Sequence, residues 1–463
     1  MAADGASLYA AATRIQPRVA HGRYARLRVL SMLLLLGFYY LAPWLELGGH
    51  PLVHFDLPAR RFHVFGATLL PQDLWLLTWL LLIAALTLFF FTSLAGRLWC
   101  GYACPQTVWT EAFLWIEHFA EGDRHKRLKL DRAPWTADKI LRRGAKHVLW
   151  LLLGLWTGLT FVAYFVPAHE LFPAALSLQL AGWPLFWSLF YGFATWGNAG
   201  FMREQVCKYM CPYARFQSAM FDRDTLIIGY DGLRGEPRKG VVRKLAELDP
   251  AALAAPAGDC VDCSLCVQVC PMGIDIRDGL QYECIACAAC IDACDGVMDS
   301  VEKPRGLIHY TTARRDSGGD PRWLRPRTLG YGAIWLVLCA GFVAAVLLRS
   351  PLQFDVIRDR HSLFRQLPGG AIENLYTVKL ANKDDRAHAL ELSVTLANGE
   401  VLRATPDHFT LAAGEARAVT VSVSTDDDDH PDAVNTARFS LHAEDESDLH
   451  LSREASFLAG AGR

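Results

Sequence analysis

The stretches CVDCSLCVQVCP, residues 260–271, and CIACAACIDACD, residues 284–295, decide the reading of this chain. Each carries the spacing C-x2-C-x2-C-x3-C, through Cys260, Cys263, Cys266 and Cys270 and then Cys284, Cys287, Cys290 and Cys294. A cubane iron–sulfur cluster needs four thiolates. A tight loop of this spacing supplies three to one cluster, and its fourth cysteine serves the other. The spacing predicts two 4Fe-4S clusters, one on Cys260, Cys263, Cys266 and Cys294 and one on Cys284, Cys287, Cys290 and Cys270. Such a pair moves single electrons.

Paired C-x2-C elements also build structural zinc sites, which close with four ligands. Here the three-plus-one spacing occurs twice, and Pro271 follows Cys270 in the C-P context of two-cluster ferredoxins. Cys294 is followed by Asp295 instead of proline, which removes no ligand.

Composition sets the surroundings. Hydrophobic residues are 52% of the 463, and 46 basic against 48 acidic residues leave no bulk surface for nucleic acid. The apolar residues cluster in runs of the roughly 20 residues a membrane helix needs. Five spans are expected, at about 27–47, 73–95, 147–167, 183–202 and 330–349. The fourth is the weakest, because it contains Gly192, Gly197, Asn198 and Gly200. The first is too long for a cleavable signal and no small-residue cleavage site follows it.

Lys and Arg mark cytoplasmic loops. The N-terminal stretch carries Arg14, Arg18, Arg23, Arg26 and Arg28. The connection after the second span is strongly basic, from Arg97 through Arg124, Lys126 and Arg127 to Lys146. The expected order is a cytoplasmic N-terminus (1–26), four spans (27–202), a cytoplasmic region (203–329) with the cluster segment at about 250–300, a fifth span (330–349) and a periplasmic tail (350–463). Cysteine usage agrees with a reducing side for the motifs, since no cysteine follows Cys339. Cys339 itself reads as a small buried hydrophobe.

Spans two and four end alike, in Cys100-Gly-Tyr-Ala-Cys104-Pro105 and Cys207-Lys-Tyr-Met-Cys211-Pro212. If each C-x3-C link is helical, its sulfurs lie at i and i+4 on one face, and the proline opens a following helix. Together the two pairs offer up to four soft thiolates, suited to copper(I), zinc or iron–sulfur. A soft-metal site, a redox dithiol or quinone-adjacent role, and plain packing are the three readings. His50, His54 and His63 read as solvated or structural, and Met202 and Met210 as packing.

From residue 350 the pattern changes to period-two alternation between turns, as in NLYTVKLANKD and HALELSVTLANGE. It predicts a seven-strand immunoglobulin-like sandwich without a disulfide. The run Asp426 to Asp429 with His430 reads as a solvated acidic turn.

RLWCGYACPQTVW (97–109), REQVCKYMCPYARFQSAMFDRDTLI (203–227), RGEPRKG (234–240), the doubled cysteine run and IENLYTVKLANK at the start of the tail closely resemble the FixG-like membrane iron–sulfur proteins. These are accessory proteins for assembly of cbb3-type cytochrome c oxidase. The resemblance implies a multi-domain protein of the bacterial inner membrane: a bundle of about five helices, an inserted two-cluster ferredoxin-like α+β domain and a C-terminal all-β immunoglobulin-like sandwich. It also implies reduction of copper(II) to copper(I) for the oxidase; the soft thiolates of Cys100, Cys104, Cys207 and Cys211 are the expected copper ligands. The implied partners are a cytoplasmic electron donor, a copper chaperone or transporter and oxidase assembly components. A quinol-oxidising electron-transfer subunit and a non-enzymatic assembly scaffold are the alternatives.

Overall fold

The computed structural model describes residues 15–238 and 258–459, except Gly48 and residues 361–362, 368–369, 384–385, 426–433 and 445–448. The acidic run Asp426 to His430 and the start of the cluster segment at 250–257 lie outside the described residues. The chain divides into two units, Met1–Leu45 with Thr78–Ala340, and Glu46–Leu77 with Gly341–Arg463.

In chain order the helices that matter here are α1 (Arg23–Leu41), α2 (Leu74–Ala95), α3 (Leu98–Tyr102), α4 (Pro105–Glu121), α5 (Arg124–Arg132), α6 (Ala137–Val162), α7 (Ala168–Leu176), α8 (Gly182–Thr195), α9 (Pro212–Ala219), α10 (Leu265–Gln268), α11 (Ala289–Ser300) and α12 (Pro326–Leu347). Among the described residues four helical stretches are long and apolar enough to cross a bilayer: Arg23–Trp44, Leu74–Ala95, Ala137–Val162 and Pro326–Leu347. The third begins ten residues before the apolar run expected at 147, because Thr136 caps it. Its side chain accepts from the Lys139 amide at 3.3 Å, so the basic lead-in is helical too.

The segment expected at 183–202 is not one long α-helix. Its 14-residue α8 passes into a π-helical stretch, Trp196–Met202, where the run of small and polar residues falls. α8 lies tightly along α6. A Cβ on Gly158 would stand 2.1 Å from the Ser188 carbonyl oxygen, and one on Gly154 would stand 2.8 Å from that of Gly192. The glycines let the two backbones touch, as small residues do between membrane helices.

The cluster segment is bracketed by an antiparallel pair, β6 (Ile227–Tyr230) with β7 (Ile308–Thr311), in the register Ile227↔Thr311. Ile228 and Ile308 pack with Cys266, Ile276, Ala288 and Ile291 into its core. Strands and short helices share this segment, as an α+β reading requires.

In the second unit β1 (Glu46–Leu47) pairs with β2 (His50–Pro51), and β3 (Val53–Asp56), β4 (Arg61–Val64) and β5 (Ala67–Leu69) form a small sheet. The sequence pattern points only to a loop there. Asp73 binds Arg349 and Lys383, at 2.8 Å each, so this stretch is tied to the C-terminal residues.

The tail contains β8 (Leu352–Arg358), β9 (Arg365–Gln366), β10 (Ile372–Asn382), β11 (His388–Leu396), β12 (Val401–Thr405), β13 (His408–Leu411), β14 (Ala416–Ser424), β15 (Val434–Ala443) and β16 (His450–Leu458). These nine strands differ from the expected seven in two separate sheets, because all join into one sheet. The cause is β12, whose first residues pair with β11 and whose last pair with β14. One core fills the fold. Tyr376 and Phe439 from β10 and β15 are fully buried with rings 4.7 Å apart, and the Tyr376 hydroxyl donates to the Ser456 carbonyl at 2.9 Å.

Candidate metal centre

The two cysteine runs fold as copies. In the first, Asp262 (φ +57°) and Ser264 (φ +56°) are left-handed, and in the second Ala286 (φ +54°) and Ala288 (φ +58°) occupy the same positions. Non-glycine residues take this conformation reluctantly. Here each pair curls a loop around a hollow and delivers the chain to a short helix, α10 or α11. One hollow is lined by Cys260, Cys263, Cys266 and Cys294, with Tyr230, Val297 and Met298. The other is lined by Cys270, Cys284, Cys287 and Cys290, with Cys266, Met272 and Ile285. The crossed three-plus-one sets expected from the spacing are therefore brought together.

Six of these thiols are enclosed deeply enough that burial raises their pKa values. Cys266 and Cys270 are pushed up to about 11, Cys284 and Cys294 to about 12, and Cys287 and Cys290 are raised as well. A dry thiol ionises only against positive charge, such as a metal's. Fixed cations assist. Arg277 works against the rise at Cys266 while bound to Asp275 and Asp262. Arg28 donates to the Cys287 carbonyl at 2.6 Å. The buried Arg97 bonds the Tyr282 and Cys284 carbonyls. Four thiols around each of two apolar hollows, backed by guanidinium groups, fit two cubanes.

The C-x3-C-P motifs converge on the second hollow. Cys100 lies in α3, while Cys207 lies in a π-helical turn, Val206–Met210. Cys104 and Cys211 are the N-caps of α4 and α9, with Pro105 and Pro212 at the first helical position, as expected. The link between the cysteines of each pair is not one continuous helix, because a residue before proline is driven to extended backbone. Cys104 has ψ 129° and Cys211 has ψ 106°.

Cys104, Cys207 and Cys211 each disfavour ionisation of Cys100, so the first motif lies within electrostatic reach of the second. Burial, chiefly, pushes Cys100 up to about 12 and Cys207 to about 11. The Cys100 thiol donates to Gln217 Oε1 at 3.2 Å, joining the first motif to the helix after the second. Cys100 and Cys207 also pack with Met272, Ile274 and Ile285 beside Cys270, Cys284 and Cys287. The contact is backbone-close, because a Cβ on Gly101 would stand 2.9 Å from the Cys287 Cα. Among the described residues no three His, Cys, Asp or Glu side chains are grouped as a single ion requires, either here or at the ferredoxin cysteines.

Behind the motifs lies an ion network. Glu117 Oε2 accepts from Arg203 Nη2 at 2.8 Å and stands 3.1 Å from Arg127 Nη1, while Lys146 pairs with Glu121 at 2.6 Å. All five side chains are buried. The charge pattern marks Arg28, Arg97 and Arg127 only as orientation signals. Only Arg97, three residues before Cys100, carries a further clue in the sequence.

Of the other candidates, His50 and His63 stack at 4.0 Å, and His63 Nδ1 lies 3.0 Å from Thr68 Oγ1. They are structural. Met210 is exposed, and Cys339 is half-buried within α12.

Family models match three parts of the chain: a 4Fe-4S binding domain at residues 77–127, a 4Fe-4S dicluster domain at 202–313 and the IG-like fold at the C-terminal of FixG at 342–460. The chain is 40% identical over 458 residues to the nitrogen fixation protein FixG of Rhizobium meliloti, covering 90% of this chain and 85% of that one. The chain belongs to the FixG family. Protein RdxB of Cereibacter sphaeroides is 43% identical over 403 residues, covering 84% of this chain and 83% of its own. A crystal structure of a FixG-related protein from Vibrio parahaemolyticus is 27% identical, with a TM-score of 0.22, over 24% of this chain and all of that one. This FixG-family chain is an iron–sulfur electron-transfer protein of a membrane, with an immunoglobulin-like C-terminal domain.

Proposed function

We propose that this FixG-family protein reduces copper(II) to copper(I) for maturation of a cbb3-type oxidase, with Cys100, Cys104, Cys207 and Cys211 as the copper-handling thiols. The observation that carries the reading is the packing of Gly101, inside the first C-x3-C-P motif, against the backbone of Cys287. It puts a group of soft thiols beside one cluster cradle. When bound, a 4Fe-4S cluster on Cys270, Cys284, Cys287 and Cys290, and one on Cys260, Cys263, Cys266 and Cys294, supplies one electron at a time.

Copper(I) is content with two thiolates, so either C-x3-C pair suffices without a third ligand. Binding favours the reduced ion over copper(II), and Arg97 offsets the charge of the thiolates. Each reduction consumes one electron and releases copper(I) toward a chaperone or transporter. In this reading five crossings leave the N-terminus and the clusters in the cytoplasm and the tail in the periplasm, as the Lys and Arg distribution favours. The seam of α8 along α6 supports a crossing by α8, since α6 is itself long and apolar enough to span.

The test is copper binding and cupric reduction by the reduced, reconstituted protein. Replacing Cys100 with Cys104, or Cys207 with Cys211, by serine should lower both while leaving cluster absorption intact. Unchanged copper reduction would place the reduction site elsewhere, and lost clusters would make the four cysteines structural or iron ligands.

A further inference from the structure

The second unit carries a group of metal-binding side chains that the cysteine centre does not use. One row runs directly across four neighbouring strands of the tail. His408 of β13 stands opposite Glu391 of β11, Glu391 opposite His442 of β15, and His442 opposite His450 of β16. All four are exposed, while Phe409, Leu390, Leu392, Leu441 and Ala443 beside them turn into the core. Period-two alternation therefore sets the four on one face, where directly opposed residues have Cβ atoms about 5 Å apart.

The His442 and His450 rings lie 5.2 Å apart, centre to centre, at 37°. Two imidazoles that share one ion through metal–nitrogen bonds of about 2 Å have ring centres about 5 Å apart. The His50–His63 pair, at 4.0 Å and 12°, is instead a face-to-face stack, closer than two ligands of one ion. His442, His450 and Glu391 make no side-chain hydrogen bond or ion pair with any described residue. Glu444, two residues from His442 on the same strand face, engages His408, with Oε1 3.1 Å from Nδ1. Arg438, four residues back along β15, is held by Glu454 at 3.1 Å. The row thus offers imidazole and carboxylate donors in an acidic setting.

We infer that His442, His450 and Glu391 bind a divalent transition-metal ion, copper(II) ahead of nickel(II) and zinc(II). The two imidazoles are already spaced as a chelate, because β15 and β16 are paired over nine residues. Among the described residues no third ligand is in place, and Glu391 supplies it by rotating its carboxylate toward the pair. Imidazole suits these ions, and copper(II) binds such donors most tightly along the first-row series. Magnesium prefers oxygen ligands and keeps its waters.

The site goes beyond the copper reading of the cysteines and stands without it. The experiment uses the full-length, cluster-loaded protein in lipid nanodiscs. Diethyl pyrocarbonate labels exposed imidazoles, and mass spectrometry reads His442 and His450 separately. Labelling is followed as nickel(II), copper(II) or magnesium is raised, each buffered with citrate so that thiols elsewhere do not deplete it. Nickel(II) should protect both histidines together, copper(II) should do so at a lower free concentration, and magnesium should protect neither. In His442→Ala the protection of His450 should be lost, and in His450→Ala that of His442. Glu391→Gln should raise the nickel(II) concentration needed severalfold. All three positions are exposed, so the variants should keep the parent's melting and cluster absorption. Labelling indifferent to nickel(II) and copper(II), equal protection by magnesium, protection of His450 that survives His442→Ala, or an unchanged Glu391→Gln would overturn the assignment.

Discussion

Glu117→Gln tests the buried network that braces the metal centre. Glu117 is 0% exposed, with Arg203 and Arg127 guanidinium nitrogens at 2.8 and 3.1 Å. At about 3 Å and an effective dielectric near 20, each attraction is about 5 kcal/mol before desolvation is subtracted. Breaking a buried pair by removing one partner costs about 3–5 kcal/mol, because the other charge stays buried. Glutamine keeps the shape and one acceptor, so about 3 kcal/mol is expected, or a fall of roughly 3–5 °C in melting temperature for a unit of this size.

Tryptophan fluorescence of the full-length protein in nanodiscs reads this melting directly. The sign with pH is also fixed. Burial works to raise the Glu117 pKa, but Arg203 and Arg127 outweigh it and hold the carboxyl below its ordinary 4.5. Its contribution is full above that value and fades as pH falls through the lower folded value. The gap between parent and variant should therefore narrow in acid. A shift below about 2 °C at neutral pH, or a gap that widens in acid, would refute the reasoning.

Anaerobically purified protein should carry about eight iron and eight acid-labile sulfide per chain, and Cys287→Ser should lose about half, by metal analysis. A reporter after residue 463 should read as exported and one near residue 240 as cytoplasmic; a shared side would withdraw one crossing. Tyr376→Phe removes the donor to the buried Ser456 carbonyl and should lower stability by about 1–3 kcal/mol, measured by thermal denaturation of the parent and variant proteins.

Covalent spacing made the cluster segment legible. Cysteines two and three residues apart leave few ways to wrap a cubane, and the hollows collect the cysteines that the spacing assigns to each cluster. The membrane helices were legible because twenty apolar residues in a row have few alternatives. What escaped depends on contacts distant in sequence. The strands between Val53 and Leu69 are too short to show alternation. β12 serves two partners, and no local pattern announces a strand that changes neighbours midway. Arg203 and Glu117 look like ordinary surface charges until folding buries them as a pair.

The π-helical stretches at Trp196–Met202 and Val206–Met210 place chain length itself among the determinants of the thiol group. A π turn holds about one residue more than an α turn, so the stretch could lose a single residue such as Gly197, return to α winding and keep the residues beyond it in phase, whereas the same deletion inside α8 would swing them by about 100° around the axis. Cys207 would then leave its seat against Met272 and Ile285 with every side chain of the motif unchanged. The second pair of thiols is thus held in angular phase by a count of residues, and a shortened relative could keep both cysteines and still lose the meeting of the two motifs.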